Sequence, residues 1–202
     1  MPKGILIAGA GIGGLTLALM LERRGIACTV FEVAAEARDL GVGITIQPHG
    51  VRELAGLGLL EALDRVAIRT RELRYLNHLG QTLWSEPRGL HAGHDMPQLS
   101  IHRGRLHGLL WRAAQERLPP GALRLDHRLS GCVQDAAGVT ARFTRTDGTV
   151  AEERGDALVG ADGIHSVLRG LLQPASRASR ISQRRRSWPP SSAATRRWPA
   201  SR

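Results

Sequence analysis

The first thirty residues alternate between apolar runs and a helical stretch. Ile5-Leu6-Ile7-Ala8 is continuously apolar, as a strand buried on both faces requires. Leu15 to Arg24 is rich in helix formers, and Gly25 supplies a stop. Ala27-Cys28-Thr29-Val30-Phe31 is β-branched and aromatic and predicts a second strand. Two parallel strands this close in sequence need a crossover helix between them, so the opening predicts a βαβ unit.

Further along, Val42 to Ile46 is apolar and is followed by Pro48 and a helical pattern through Leu63. Leu73–Leu76 and Thr82–Trp84 flank Asn77-His78-Leu79-Gly80, which predicts a hairpin. Leu99-Ser100-Ile101 leads into a helix from about Arg105 to Arg117, closed by Pro119-Pro120-Gly121. Val139–Phe143 and Thr149–Glu152 flank Asp147-Gly148 and predict another hairpin. A last buried strand, Ala157 to Gly160, runs into Ala161-Asp162-Gly163. The mixture of a βαβ unit with antiparallel hairpins predicts an α/β fold: a Rossmann-like dinucleotide-binding domain with part of a second, antiparallel sheet inserted.

Composition changes this picture at one end. Ala175 to Arg202 is mostly Ser, Arg, Pro, Ala and Trp and has neither strand nor helix period. The expectation is a folded domain over 1–174, with a partial sheet at about 70–100, and a disordered basic C-terminal tail over 175–202. Eight of the 28 Lys and Arg residues, and none of the 18 acids, lie from Gly170 onward. The net charge of +10 thus belongs mainly to the tail, which argues against a nucleic-acid-binding face on the body. The abrupt change resembles a GC-rich gene read out of frame, a reading that the DNA downstream of the Pro174 codon would test.

The chemistry-bearing motif is Gly9-Ala10-Gly11-Ile12-Gly13-Gly14, between the first strand and the first helix. Gly9 permits the tight turn, Gly11 lets the backbone approach a pyrophosphate, and Gly14 lets the helix pack on the sheet. Free amides at the helix start then face phosphate oxygens. Glu32 ends the second strand, where a carboxylate accepts hydrogen bonds from ribose hydroxyls and disfavours a 2′-phosphate. This pattern does not distinguish FAD from NAD, and glycines acting merely as turn formers remain the plainer alternative.

Later residues narrow the choice. Val159-Gly160-Ala161-Asp162-Gly163-Ile164-His165-Ser166-Val167-Leu168-Arg169 resembles a motif of the FAD-dependent aromatic hydroxylases, the p-hydroxybenzoate hydroxylase-like flavoprotein monooxygenases. Gly41-Val42-Gly43-Ile44-Thr45-Ile46-Gln47-Pro48 resembles their loop beside the flavin ring, and Gln98 to Leu106 resembles the segment whose arginine reaches the cofactor phosphates. With Trp84 to Gly89, these strings are most similar to the bacterial phenazine-modifying members of that family. The resemblance runs from about Gly4 to Pro174. It implies that Asp162 helps hold the FAD pyrophosphate, that Arg103 contacts the phosphates, and that Gly43 keeps the backbone close to the flavin. Ser166 and Arg169 would cap and anchor the segment that follows.

The resemblance further implies FAD as cofactor, NAD(P)H as reductant with NADH favoured, and O₂ and a small aromatic molecule as substrates. The cofactor carries that chemistry, so no catalytic acid or base is assigned. Full-length members are roughly twice as long and carry a second FAD motif, Gly-Asp-Ala with a later His and Pro, that has no counterpart after Arg169. The expectation is a truncated N-terminal half with weak or absent FAD retention and little turnover unless another chain supplies the rest. The alternatives are an NAD-linked Rossmann oxidoreductase and a non-catalytic fragment acting through its tail.

Other functions fit less well. Gly4 to Leu21 lacks charge for 18 residues, but five glycines interrupt it, so a membrane span is not expected. His91, His94 and Asp95 lack a further ligand at helical spacing, so no metal site is expected. Asp162, His165 and Ser166 are too close in sequence for a hydrolase triad. Cys28 and Cys132 form no pairing pattern and suit a reducing cytoplasm. Oligomeric state is not readable from the sequence.

Overall fold

A computed structural model describes residues 4–35 and 42–173. The expected tail and Gly41 lie outside the described residues. The elements in chain order are β1 (Ile5–Ala8), α1 (Ile12–Glu22), β2 (Cys28–Phe31), β3 (Gly43–Ile46), α2 (Pro48–Gly56), α3 (Leu60–Asp64) and β4 (Ile68–Thr70). They continue with β5 (Glu72–Leu76), β6 (Thr82–Pro87), β7 (Gln98–His102), α4 (Arg103–Arg117) and β8 (Leu123–Arg124). The last are β9 (Arg128–Asp135), β10 (Gly138–Thr144), β11 (Val150–Gly155), β12 (Ala157–Gly160) and α5 (Val167–Leu172).

Four parallel strands in the order β12-β1-β2-β8 form the central sheet. Its alternation divides the core in two. Ile5, Ile7, Cys28 and Val30 face a cluster built with α1, α2 and α4, whereas Leu6, Ala8 and Phe31 face the other way. On that second side they meet Leu129, Ala141 and Phe143 of an antiparallel sheet ordered β11-β10-β9, together with Leu168 of α5. Strands buried on both faces must be apolar at every position, which is why Ile5–Ala8 has no polar residue. Cys28 is buried, and that burial, with Glu22 adding charge repulsion, pushes its thiol above the ordinary range.

The first βαβ unit and both hairpins form where the sequence places them. Helix α1 begins at Ile12, three residues before the expected Leu15, because the glycine turn is itself the first helical turn. The pattern from Pro48 through Leu63 is two helices, broken at Leu57-Gly58 where Gly58 takes a positive φ of 76°. Within the segment at about 70–100, β5 and β6 pair only with each other, and β7 instead joins β3 and β4 in an antiparallel sheet. In that sheet Gly43 stands opposite His102, and the Arg103 amide donates to the Val42 carbonyl at 3.1 Å. The β3 strand is thereby fixed to the start of α4.

Candidate dinucleotide-binding site

The ends of β1, β2 and β12 open into one cavity of about 500 Å³. Gly9, Ala10 and Gly11 form its floor, Glu32 to Ala34 one wall, and Ala161 to Gly163 another. Arg103 reaches it from α4, and His127 to Leu129 close it from the start of β9. Ligands of open α/β sheets collect at the carboxyl ends of parallel strands, and all three strands deliver their carboxyl ends here.

The turn after β1 is fixed by close approach. Gly9 has a φ of 106°, and a β-carbon there would run into the Ala161 carbonyl. Side chains rarely adopt that backbone, so glycine is required on two counts. This contact brings the end of β12, and with it Asp162, against the glycine turn. The first amides of α1 have no carbonyl within the helix to bond, because intrahelical bonding begins at Leu15 N–H to Gly11 O at 3.0 Å. Gly11 has no atom within 4 Å of where a β-carbon would project.

Glu32 has a role that its motif does not reveal. One carboxylate oxygen accepts the Ala10 amide at 2.7 Å and the other accepts the Ala34 amide at 2.9 Å. The carboxylate thus braces the turn while bordering the cavity, and each oxygen keeps a lone pair for a hydroxyl. Asp162 is divided in a similar way. Its Oδ2 accepts the amides of Val167 at 2.7 Å and Leu168 at 3.3 Å, fastening the start of α5. Its Oδ1 is buried without a hydrogen-bond partner among the described residues. A buried carboxylate oxygen left unsatisfied costs free energy, so a polar group from a ligand or its water is the chemistry that fits it. Ser166 accepts the Arg169 amide at 3.0 Å, and the Arg169 guanidinium reaches back to the Ile164 carbonyl.

Of the ten residues singled out in the sequence, six line the cavity: Gly9, Ala10, Gly11, Glu32, Arg103 and Asp162. Ile12 packs on the core, Gly14 is buried against Gly9, and Gly13 is exposed. Gly43 is exposed on β3, outside the lining. Neither Arg103 nor Arg128 has a carboxylate within ion-pair distance among the described residues. The cavity thus carries two guanidinium groups not tied to its Glu32 and Asp162 carboxylates, and these suit the anionic part of a ligand.

Other lining residues lie outside the sequence motifs. His107 and Trp111 follow Arg103 at four-residue steps on α4, a spacing that puts all three on one helix face and was available as a signal. His127 is buried, leans on Phe31 and Phe143, donates from Nδ1 to the Leu125 carbonyl at 2.6 Å and accepts from Arg145 at 3.3 Å. Both ring nitrogens are thus committed to holding the wall. Nothing in its local sequence marks it. Of the residues that do not line the cavity, Asp95 is tied to Arg52 at 2.6 Å. No helix among the described residues is long and apolar enough to cross a membrane.

A parallel sheet, a glycine turn opening a helix, and an acid at the end of the second strand define a dinucleotide-binding domain. The chain belongs to the FAD binding domain family, whose profile matches residues 3–184. It is 49% identical over 173 residues to phenazine 1,6-dicarboxylic acid hydroxylase of Lysobacter antibioticus, covering 84% of this chain and 42% of that protein. It is 43% identical to a 3-amino-4-hydroxybenzoate 2-monooxygenase of Streptomyces platensis, covering 83% of this chain and 41% of that one. The fold matches p-nitrophenol 4-monooxygenase from Pseudomonas putida DLL-E4 with a TM-score of 0.76 at 21% identity, over 85% of this chain and 43% of that chain. It also matches HpxO of Klebsiella pneumoniae complexed with FAD, with a TM-score of 0.65 at 29% identity, over 83% and 41% of the two chains. The chain spans about two fifths of the length of the curated relatives it matches.

Proposed function

We propose that this chain is the FAD-binding part of a flavin-dependent monooxygenase that hydroxylates a small aromatic substrate. The observation that carries the reading is the buried Asp162 Oδ1, without a hydrogen-bond partner among the described residues, in the same cavity as the glycine turn and Arg103. Amides at the start of α1 and the Arg103 guanidinium hold the pyrophosphate of FAD. Glu32 takes the ribose hydroxyls on the lone pairs left by Ala10 and Ala34, and Asp162 Oδ1 accepts a hydrogen bond from the cofactor or its water. Gly43, fixed beside Arg103 through β3, borders the flavin end. Bound FAD supplies the redox chemistry, accepting electrons from NAD(P)H, with NADH favoured, and passing them to O₂ for oxygen insertion. The free cysteines, Cys28 and Cys132, suit work in a reducing cytoplasm.

Titration of the purified chain with FAD and with FMN, followed by flavin fluorescence, tests the cofactor assignment. FMN lacks the adenosine and one phosphate, so FAD should bind at least about tenfold more tightly. Equal affinities, or no FAD binding, would overturn the reading.

A further inference from the structure

The central residue of the glycine turn is held from both sides by distant side chains. Glu32 takes the Ala10 amide at 2.7 Å, and His107 Nε2 meets the Ala10 carbonyl at 2.8 Å. A carbonyl only accepts, so Nε2 carries the hydrogen and the tautomer is set. His107 is half-buried, borders the cavity, and stacks on Trp111 with ring centroids 6.3 Å apart.

This second contact addresses a weakness built into the motif. Rotating the Ala10–Gly11 peptide by half a turn changes only ψ of Ala10 and φ of Gly11. Gly11 has φ −69° and ψ −179°, and as a glycine it accepts the opposite sign of φ at little cost. In a trans peptide the carbonyl and the following amide point in opposite directions. With the Ala10 carbonyl drawn onto α4, the Gly11 amide points away from α4 and joins the unbonded amides at the start of α1. After a flip, a carbonyl would replace that amide and repel a phosphate.

Resting on the FAD reading above, we infer that His107 is a positioning residue: it latches the Ala10–Gly11 peptide in the orientation that offers an amide to the pyrophosphate. Arg103, one helical turn earlier on the same face, supplies charge to the same cavity. One face of α4 thus both orients the turn and draws the anion to it.

The test compares FAD affinity, read by flavin fluorescence, for the wild-type chain and for His107→Gln, His107→Asn and His107→Phe. A glutamine amide nitrogen reaches the position of Nε2, whereas the asparagine amide stops near Nδ1. Losing the latch should weaken FAD binding about tenfold in the Asn and Phe variants, while the Gln variant stays within about threefold of wild type. A purely structural role would not sort Gln from Asn, and that pair decides the matter even if the Phe variant fails to fold. Wild-type binding with Gln no better than Asn, or with Asn within about twofold of wild type, overturns the latch alone. Absence of FAD binding by the wild-type chain brings down the cofactor reading and the latch with it.

Discussion

Gly14 lies against Gly9 so closely that a β-carbon on Gly14 would overlap the Gly9 carbonyl oxygen and crowd the Ala161 methyl at 3.3 Å. This contact seats α1 on the turn and on the end of β12 together. Alanine favours a helix over glycine by about 1 kcal/mol. Here the obstacle is backbone, which cannot swing aside, and overpacking of this kind costs about 1–3 kcal/mol or more. Gly14→Ala should therefore be destabilised by roughly 2 kcal/mol, read as a lower urea midpoint at unchanged slope.

Gly11 gives the opposite outcome from the same substitution. Its backbone is ordinary extended chain, and no atom lies within 4 Å of the added methyl. Gly11→Ala should keep its unfolding midpoint to within about 0.5 kcal/mol. The methyl would stand on the cavity floor, where a phosphate must approach, so FAD affinity should fall at least about tenfold. An affinity unchanged from wild type would remove Gly11 from the binding floor.

The pair also shows what the sequence could disclose. Gly9, Gly11 and Gly14 are legible because the tight turn, the approach of a phosphate and the packing of the helix recur at a fixed spacing, although the atom that bars a side chain at Gly9 is the distant Ala161 carbonyl. Strand β1 is legible because burial on both faces makes it continuously apolar, and β2 because its residues are β-branched and aromatic. Strand β12 is legible from its short apolar run, but the expectation that it is buried fails: it is an edge strand with Ala157 and Gly160 exposed. Strand β9 escaped because only Leu129 of its eight residues is buried, leaving no alternation to find. Strand β8 is two residues long and carries no period. The wall at His127 to Leu129, at the start of β9, carries no pattern for the same reason. Glu32 was found for its place at the strand end, but its grip on Ala10 depends on a separation of 22 residues that no motif encodes.

Phe31 on β2 and Phe143 on β10 stack with centroids 4.0 Å apart and planes 15° from parallel. Both rings are fully buried, and they join the central sheet to the antiparallel sheet beneath it. Phe31 also lines the cavity, with the Arg124 guanidinium 5.4 Å from its ring centroid. Phe143→Ala should cost about 3–5 kcal/mol through lost burial and the void left behind. Chemical unfolding checks the magnitude. A loss under about 1 kcal/mol would mean that the two sheets do not share this core.

Asp64, at the end of α3, receives a two-pronged bond from Arg69 on β4, with Nε to Oδ1 at 2.8 Å and the terminal nitrogen to Oδ2 at 2.5 Å. The hydrogen bonds from Arg69 hold its carboxyl below the ordinary carboxylate range, against a small opposing effect of burial. A carboxyl lowered on folding contributes stability that is present above its unfolded pKa, about 3.9, and is lost as pH falls through the folded value. Arg69 is about half exposed, so solvent screening limits the pair to less than about 1 kcal/mol. Asp64→Asn should thus sit slightly below wild type in stability from pH 7 down to about 5, and the gap should close as pH drops below about 4. Added salt should narrow the same gap at pH 7, because the pair lies at the surface. Urea midpoints of the two proteins, measured across that range, read the difference directly. A gap that widens toward acid would show that the carboxyl is protonated more readily in the folded chain than in the unfolded one, the reverse of what the Arg69 fork requires.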